Sequence, residues 1–180
     1  NFIDSKSCLN FLYDNSVSAH STLFKKELLN FIFPFPESTY FDAFIAATAS
    51  SLNGVKFLDK NLVKYRQHAT NTLGNTKKNK TAVSTKVLNK VEKKQIENEN
   101  ILKKIQEFKK IKTITNKELH LLSKLEEFYL SFETKYFDAE MCKFLLTHSE
   151  TFFTISTKNK TVLSFKKSIR KKLYKVLPFL

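Results

Sequence analysis

Tryptophan is missing from this 180-residue chain; glycine occurs twice, proline three times and cysteine twice. Two glycines cannot build a glycine-rich phosphate loop, and so little proline and glycine excludes a collagen-like or linker-like chain. Cys8 and Cys142 stand far apart with no paired spacing. Neither a disulfide framework nor a zinc site is indicated, and a reducing cytoplasm is the expected setting. No apolar run approaches the roughly 18 residues that a spanning helix needs. No signal-peptide pattern is visible. The sequence opens on Asn1 in mid-pattern, which reads as a fragment whose upstream part is missing.

What is present is apolar residue enough for a core, 42%, with phenylalanine used 18 times. The formal charge is +14, and it is uneven. Residues 1–75 are nearly neutral, whereas residues 76–180 carry almost all of the excess lysine and arginine. Such a basic back suits a polyanionic neighbour, a membrane surface or nucleic acid, or simply a solvated lysine-rich helix face.

The pattern along the chain changes with the charge. Ser16 to Phe24 is rich in small and β-branched residues and predicts a buried strand. Lys25 to Phe31 predicts a short helix, stopped by Pro34 and Pro36. From Tyr40 to Leu52, the residues Phe41, Phe44, Ile45, Thr48 and Leu52 share one helical face, with Gly54 just past the end. Val55–Leu58 and Leu62–Arg66 predict a hairpin, and His68 to Asn79 a polar loop. Beyond residue 76 helices dominate. One stripe runs through Val83, Val87 and Val91 to Ile101, Ile105, Phe108 and Ile111. Thr115 and Glu118 form a capping-box signature ahead of Leu119, Leu122, Leu125, Phe128 and Phe132. Further helices are predicted over Lys135–Thr147 and Thr161–Val176. The last puts Val162, Phe165, Ile169, Leu173 and Val176 on one face and most of its lysines elsewhere.

The stretch from Asn15 to Gly74 carries an ordered set of pieces. These are Ser18-Ala19-His20, Phe24-Lys25-Lys26, Pro34-Phe35-Pro36, Asp42, and Tyr65-Arg66-Gln67-His68 with Asn71 and Gly74. In that order and spacing they resemble the inverting family-2 glycosyltransferases, in particular the bacterial rhamnosyltransferase-like members. The resemblance implies an α/β fold at residues 1–75, the acceptor-side, C-terminal half of a GT-A-type domain. Residues 76–180 are then a basic α-helical extension, with helix dominating overall. It implies transfer of a sugar from a nucleoside-diphosphate donor to a saccharide or lipid-linked saccharide acceptor. Asp42 is then the general base, Arg66 and His68 serve the donor diphosphate, and His68 also serves a Mg²⁺ or Mn²⁺ ion. His20 and Phe41 lie on the acceptor side. The family's D-x-D metal motif is not in this sequence, so the chain by itself is expected to bind sugar nucleotide poorly.

The residues also admit plainer readings. An aspartate in the first turn of a helix stabilises that end. A lone histidine at position 20 can simply be packed and hydrogen-bonded, and one at position 68 can be an ordinary loop residue. A basic amphipathic helix can lie on an anionic membrane, which would place the protein at the inner face of the cytoplasmic membrane. The competing function is a non-catalytic basic helical module that binds a membrane surface or a protein partner. No helix-turn-helix, zinc-finger or aromatic stacking motif points to nucleic acid.

Overall fold

The structure, a computed structural model, describes residues 3–37, 41–64, 90–132, 136–156 and 158–169. Those residues form helices and connecting chain. Single 3-10 turns at Cys8–Phe11, Ala19–Ser21 and Lys26–Leu28 precede α1 (Leu29–Ile32) and α2 (Phe41–Leu52). Then come α3 (Lys90–Lys109), α4 (Asn116–Leu130), α5 (Ala139–Thr147), α6 (Ser149–Phe152) and α7 (Lys160–Ser168). No strand and no sheet occurs among the described residues. Their β-pairing consists of two isolated antiparallel bridges, Ser5 with Val55 and Phe137 with Ile169. The α/β, GT-A-type half expected at residues 1–75 is therefore corrected: its described residues, 3–37 and 41–64, hold helices and 3-10 turns and no sheet.

The reasons are local. A strand needs a neighbour to take its backbone groups, and in Ser16–Phe24 side chains and turns take them instead. Asn15 Oδ1 accepts from the Val17 N–H at 3.0 Å. The Ser18 carbonyl accepts from the Ser21 N–H at 3.0 Å and from the Thr22 hydroxyl at 2.7 Å. The Val55–Leu58 segment meets the same fate. Val55 exchanges backbone bonds with Ser5, but the next donor, the Phe57 N–H, goes to Asp4 Oδ1 at 2.8 Å. Phe57, Leu58, Leu62 and Val63 stay exposed, so no hairpin forms over the described part of the predicted pair.

The helices follow their patterns more closely. Helix α2 is buried on most sides because alanines 43, 46 and 47 allow close approach. It ends where Gly54, at φ +95°, donates to the Ala49 carbonyl at 2.8 Å. Helices α3 and α4 pack on each other and are joined by Lys109–Glu126 at 2.5 Å. Thr115 caps α4 and completes the reciprocal capping box with Glu118. The Asp138 carboxylate caps α5 by accepting the Met141 N–H at 2.9 Å. Helix α7 departs from its predicted face. Val162 and Phe165 are exposed, while Ser164 and Ser168 are buried; Ile169 of the predicted face is buried, but just past the helix end. Each of these serine hydroxyls bonds a carbonyl of its own helix, so a small residue with its polarity satisfied packs inward. The rest of that predicted helix, with Arg170, Lys171, Lys172 and Lys175, lies outside the described residues.

One core joins the front and back of the sequence. Cys8, Leu9, Phe11, Leu12, Phe44 and Ala47 pack with Ile105, Phe108, Leu122, Leu125, Met141 and Phe152. Glu118 ties the two together by accepting from the Ser7 hydroxyl at 2.7 Å and the Cys8 N–H at 3.1 Å. Asn10 reaches the Thr151 carbonyl at 2.8 Å. The change of composition near residue 75 is thus not a division of the core. No described helix is long and apolar enough to cross a membrane.

Candidate functional site

Asp42 lies in the first turn of α2, half-buried, with its Oδ1 accepting the Ala43 N–H at 2.7 Å. A carboxylate there is favoured by the exposed N–H groups of the helix end. It lines a cavity of about 270 Å³ whose other walls are mostly apolar: Phe24, Phe35, Phe41, Val17, Ala19 and Ile45. Thr22 supplies the other side-chain oxygen of that wall. The three phenylalanine rings are 36–53% exposed. Large apolar rings in contact with solvent around a single carboxylate are a surface that a ligand could cover. Phe35 and Phe41 meet edge-on at 6.4 Å, so two of the three rings are in contact.

The other residues singled out from the sequence fall in different places. Phe41 stands beside Asp42 in the cavity wall. His20 sits in the 3-10 turn, exposed, its ring within 2.8 Å of the Ser18 hydroxyl. Its neighbour Ala19 lines the cavity and His20 does not. Arg66 and His68, with Tyr65, Asn71 and Gly74, lie outside the described residues.

The fold brings Asp42 a residue that motif reading missed. Burial drives the Lys104 ammonium of α3 down to about 8. The carboxylates of Asp14 and Asp42 act against that burial, and the Lys167 charge adds to it. Lys104 also lies 5.6 Å from the centre of the Phe108 ring. A signal was present: positions 101, 104 and 108 share a helical face, so a lysine stood on an apolar stripe.

A second cavity, about 320 Å³, opens between the start of the chain and α7. Tyr13, Asp14 and Asn15 form one side, and Phe153, Ser156, Lys158 and Lys167 much of the other. Tyr13 stacks on Phe153 at 5.2 Å and 26° and shares a 3.2 Å hydrogen bond with the Tyr129 hydroxyl. Burial, reinforced by Tyr129, pushes the Tyr13 phenol far above its ordinary range. Lys167 lies 4.9 Å from the Tyr13 ring centre and is ion-paired with Glu97. Burial opposes the Glu97 charge, but Lys167 and Lys94 outweigh it and hold that carboxyl below its usual range.

Among the described residues no group of three or more His, Cys, Asp and Glu side chains is placed to hold a metal ion. Compared with known proteins, the sequence matches no family model, no curated protein and no solved structure.

Proposed function

We propose that this chain serves sugar transfer, holding a saccharide or lipid-linked saccharide acceptor and taking the proton from its attacking hydroxyl. The observation that carries the reading is the lone Asp42 carboxylate in a cavity rimmed by Phe24, Phe35 and Phe41. A pyranose ring has apolar C–H faces and a polar hydroxyl edge. Aromatic rings cover the first at low entropic cost, and a carboxylate accepts from the second. A carboxylate within hydrogen-bond reach of the attacking hydroxyl can act as general base as that oxygen bonds to the anomeric carbon. The proton goes to Asp42, and the bond from the anomeric carbon to the donor's diphosphate oxygen breaks, with inversion. The order of motifs from Ser18 to Gly74 supports the same reading and suggests a nucleoside-diphosphate sugar as donor.

The test is Asp42→Asn in the protein as the cell makes it, assayed with a panel of nucleoside-diphosphate sugars by release of nucleoside diphosphate. The amide keeps the size and loses the base. Turnover should fall about 100-fold or more, with the circular dichroism spectrum and thermal midpoint little changed. Equal turnover in the folded variant rejects Asp42 as base.

A further inference from the structure

Helix α7 turns its apolar side chains outward. Thr161, Val162, Phe165 and Lys166 face solvent, with Val162 49% and Phe165 45% exposed. Ser164 and Ser168 are buried, and Leu163 packs on the core. The two sets fall on opposite sides, as a period of 3.6 requires. Phe165 meets the Phe137 ring at 5.1 Å and still keeps nearly half of its surface in water. The inner side is fixed to α3: Lys167 pairs with Glu97, and Lys94 donates to the Lys166 carbonyl at 3.3 Å. Asn159 caps the start by accepting from the Thr161 and Val162 N–H groups at 2.9 and 3.2 Å. The outer face is thus a preformed surface. Charge surrounds it. Residues 151–180 hold eight lysines and arginines and no aspartate or glutamate. Glu150 and Glu97 take up Lys160 and Lys167. Lys158 and Lys166 are exposed, and among the described residues neither ammonium is paired with a carboxylate.

We infer that the outer face of α7, Val162 and Phe165 flanked by Lys158 and Lys166, docks on an anionic lipid surface. An anionic bilayer complements both halves of this face at once. Its headgroup phosphates attract the lysines, and the layer just beneath them takes the apolar side chains. A nucleic acid would attract the same cations through its phosphates but would leave Val162 in water. Nine residues are too few to cross a bilayer, so the helix lies along the surface. The inference does not depend on the sugar-transfer reading, since Asp42 and its cavity take no part in it.

The test co-sediments the full chain with vesicles of phosphatidylcholine alone and of phosphatidylcholine with about a third phosphatidylglycerol. Binding should require the anionic lipid and weaken about tenfold or more from low to high salt. The double variant Lys158→Gln, Lys166→Gln should bind about tenfold more weakly. Val162→Ser with Phe165→Ser should also lose about tenfold, with an unchanged circular dichroism spectrum. The chain has no tryptophan, so Phe165→Trp supplies a single emitter and keeps the apolar bulk. Its emission should shift to the blue on anionic vesicles and be quenched by spin-labelled lipid chains. If the serine variant does not fold, the tryptophan decides. No binding to anionic vesicles overturns the inference. So does full binding by the folded serine variant, or an emission that stays at its aqueous wavelength on vesicles that have bound the protein. Binding to a single-stranded RNA with none to vesicles overturns it in favour of nucleic acid. Each of these results leaves the role of Asp42 to its own assay.

Discussion

Glu118 shows how one side chain can hold distant parts of this chain together. Its carboxylate accepts from Ser7 and Cys8 of the front segment and from the Thr115 N–H and hydroxyl at 3.1 and 2.8 Å. Burial penalises its charge, yet these donors outweigh burial, with Ser7 foremost, and hold the carboxyl below its usual range. A depressed carboxyl stabilises the fold above its unfolded value, near 4.5, and that contribution is lost as pH falls through the lower folded value. Glu118→Gln keeps the shape but turns one acceptor oxygen into a donor facing donors. We predict a loss of roughly 1.5–3 kcal/mol at neutral pH and a shallower acid-side decline, both read from urea unfolding between pH 3 and 7. An unchanged acid limb would show that other carboxylates govern it. The capping half of this residue's work was legible in the Thr115–Glu118 spacing. The other half, its grip on Ser7 and Cys8, depends on a meeting across more than a hundred residues, and no local pattern records it.

At the scale of the element, the end of α2 sets where the front segment runs. Gly54 sits at φ +95°, and a Cβ there would stand 3.0 Å from the Ser5 backbone oxygen. That close approach is what permits the Ser5–Val55 bridge. Gly54→Ala should therefore cost about 1–3 kcal/mol, measured as a shift of the thermal unfolding midpoint. A stability within experimental error of wild type would mean that the bridge is dispensable. Glycine past a helical pattern was readable as a cap, whereas its second duty against Ser5 was not. The elements that sequence reading missed are the strands. Ser16–Phe24 and Val55–Leu58 have strand-like composition, but β-preference is a preference for a partner surface. Here Asp4, Asn15 and Ser18 engage the backbone groups that a ladder would use. In α7 the apolar pattern pointed to Val162 and Phe165, but the tighter fit at Ser164 and Ser168 decided which side turned inward.

Over the whole molecule, a single core spanning Cys8 to Ile155 predicts that the described parts unfold together. Cys8 offers a probe, since it is fully buried and burial pushes its thiol well above the ordinary range. In a Cys142→Ser background, labelling of Cys8 in rising denaturant should follow the same transition as far-UV circular dichroism, to which the long helices α3 and α4 contribute strongly. Leu122→Ala should move both curves together by about 2–5 kcal/mol. Labelling of Cys8 ahead of helix loss would show two independent units, with a boundary where the charge changes.

The sequence by itself determined helices α3, α4 and α5 and the start of α7, the α2 helix with its first-turn Asp42, the caps at Thr115 and Gly54, and the uneven charge. Each of these follows from interactions within a few residues or from a repeat of 3.6. Only the tertiary structure decided that the front segment carries no described sheet and that Glu118 bridges front to back. It alone brought the charges of Asp14 and Asp42 to bear on Lys104 and put Tyr13 to Asn15 on one cavity and Val17 and Ala19 on another. Those features require groups far apart in the chain to meet. Which groups meet is settled by burying the whole apolar surface at once, and no short window of sequence contains that condition.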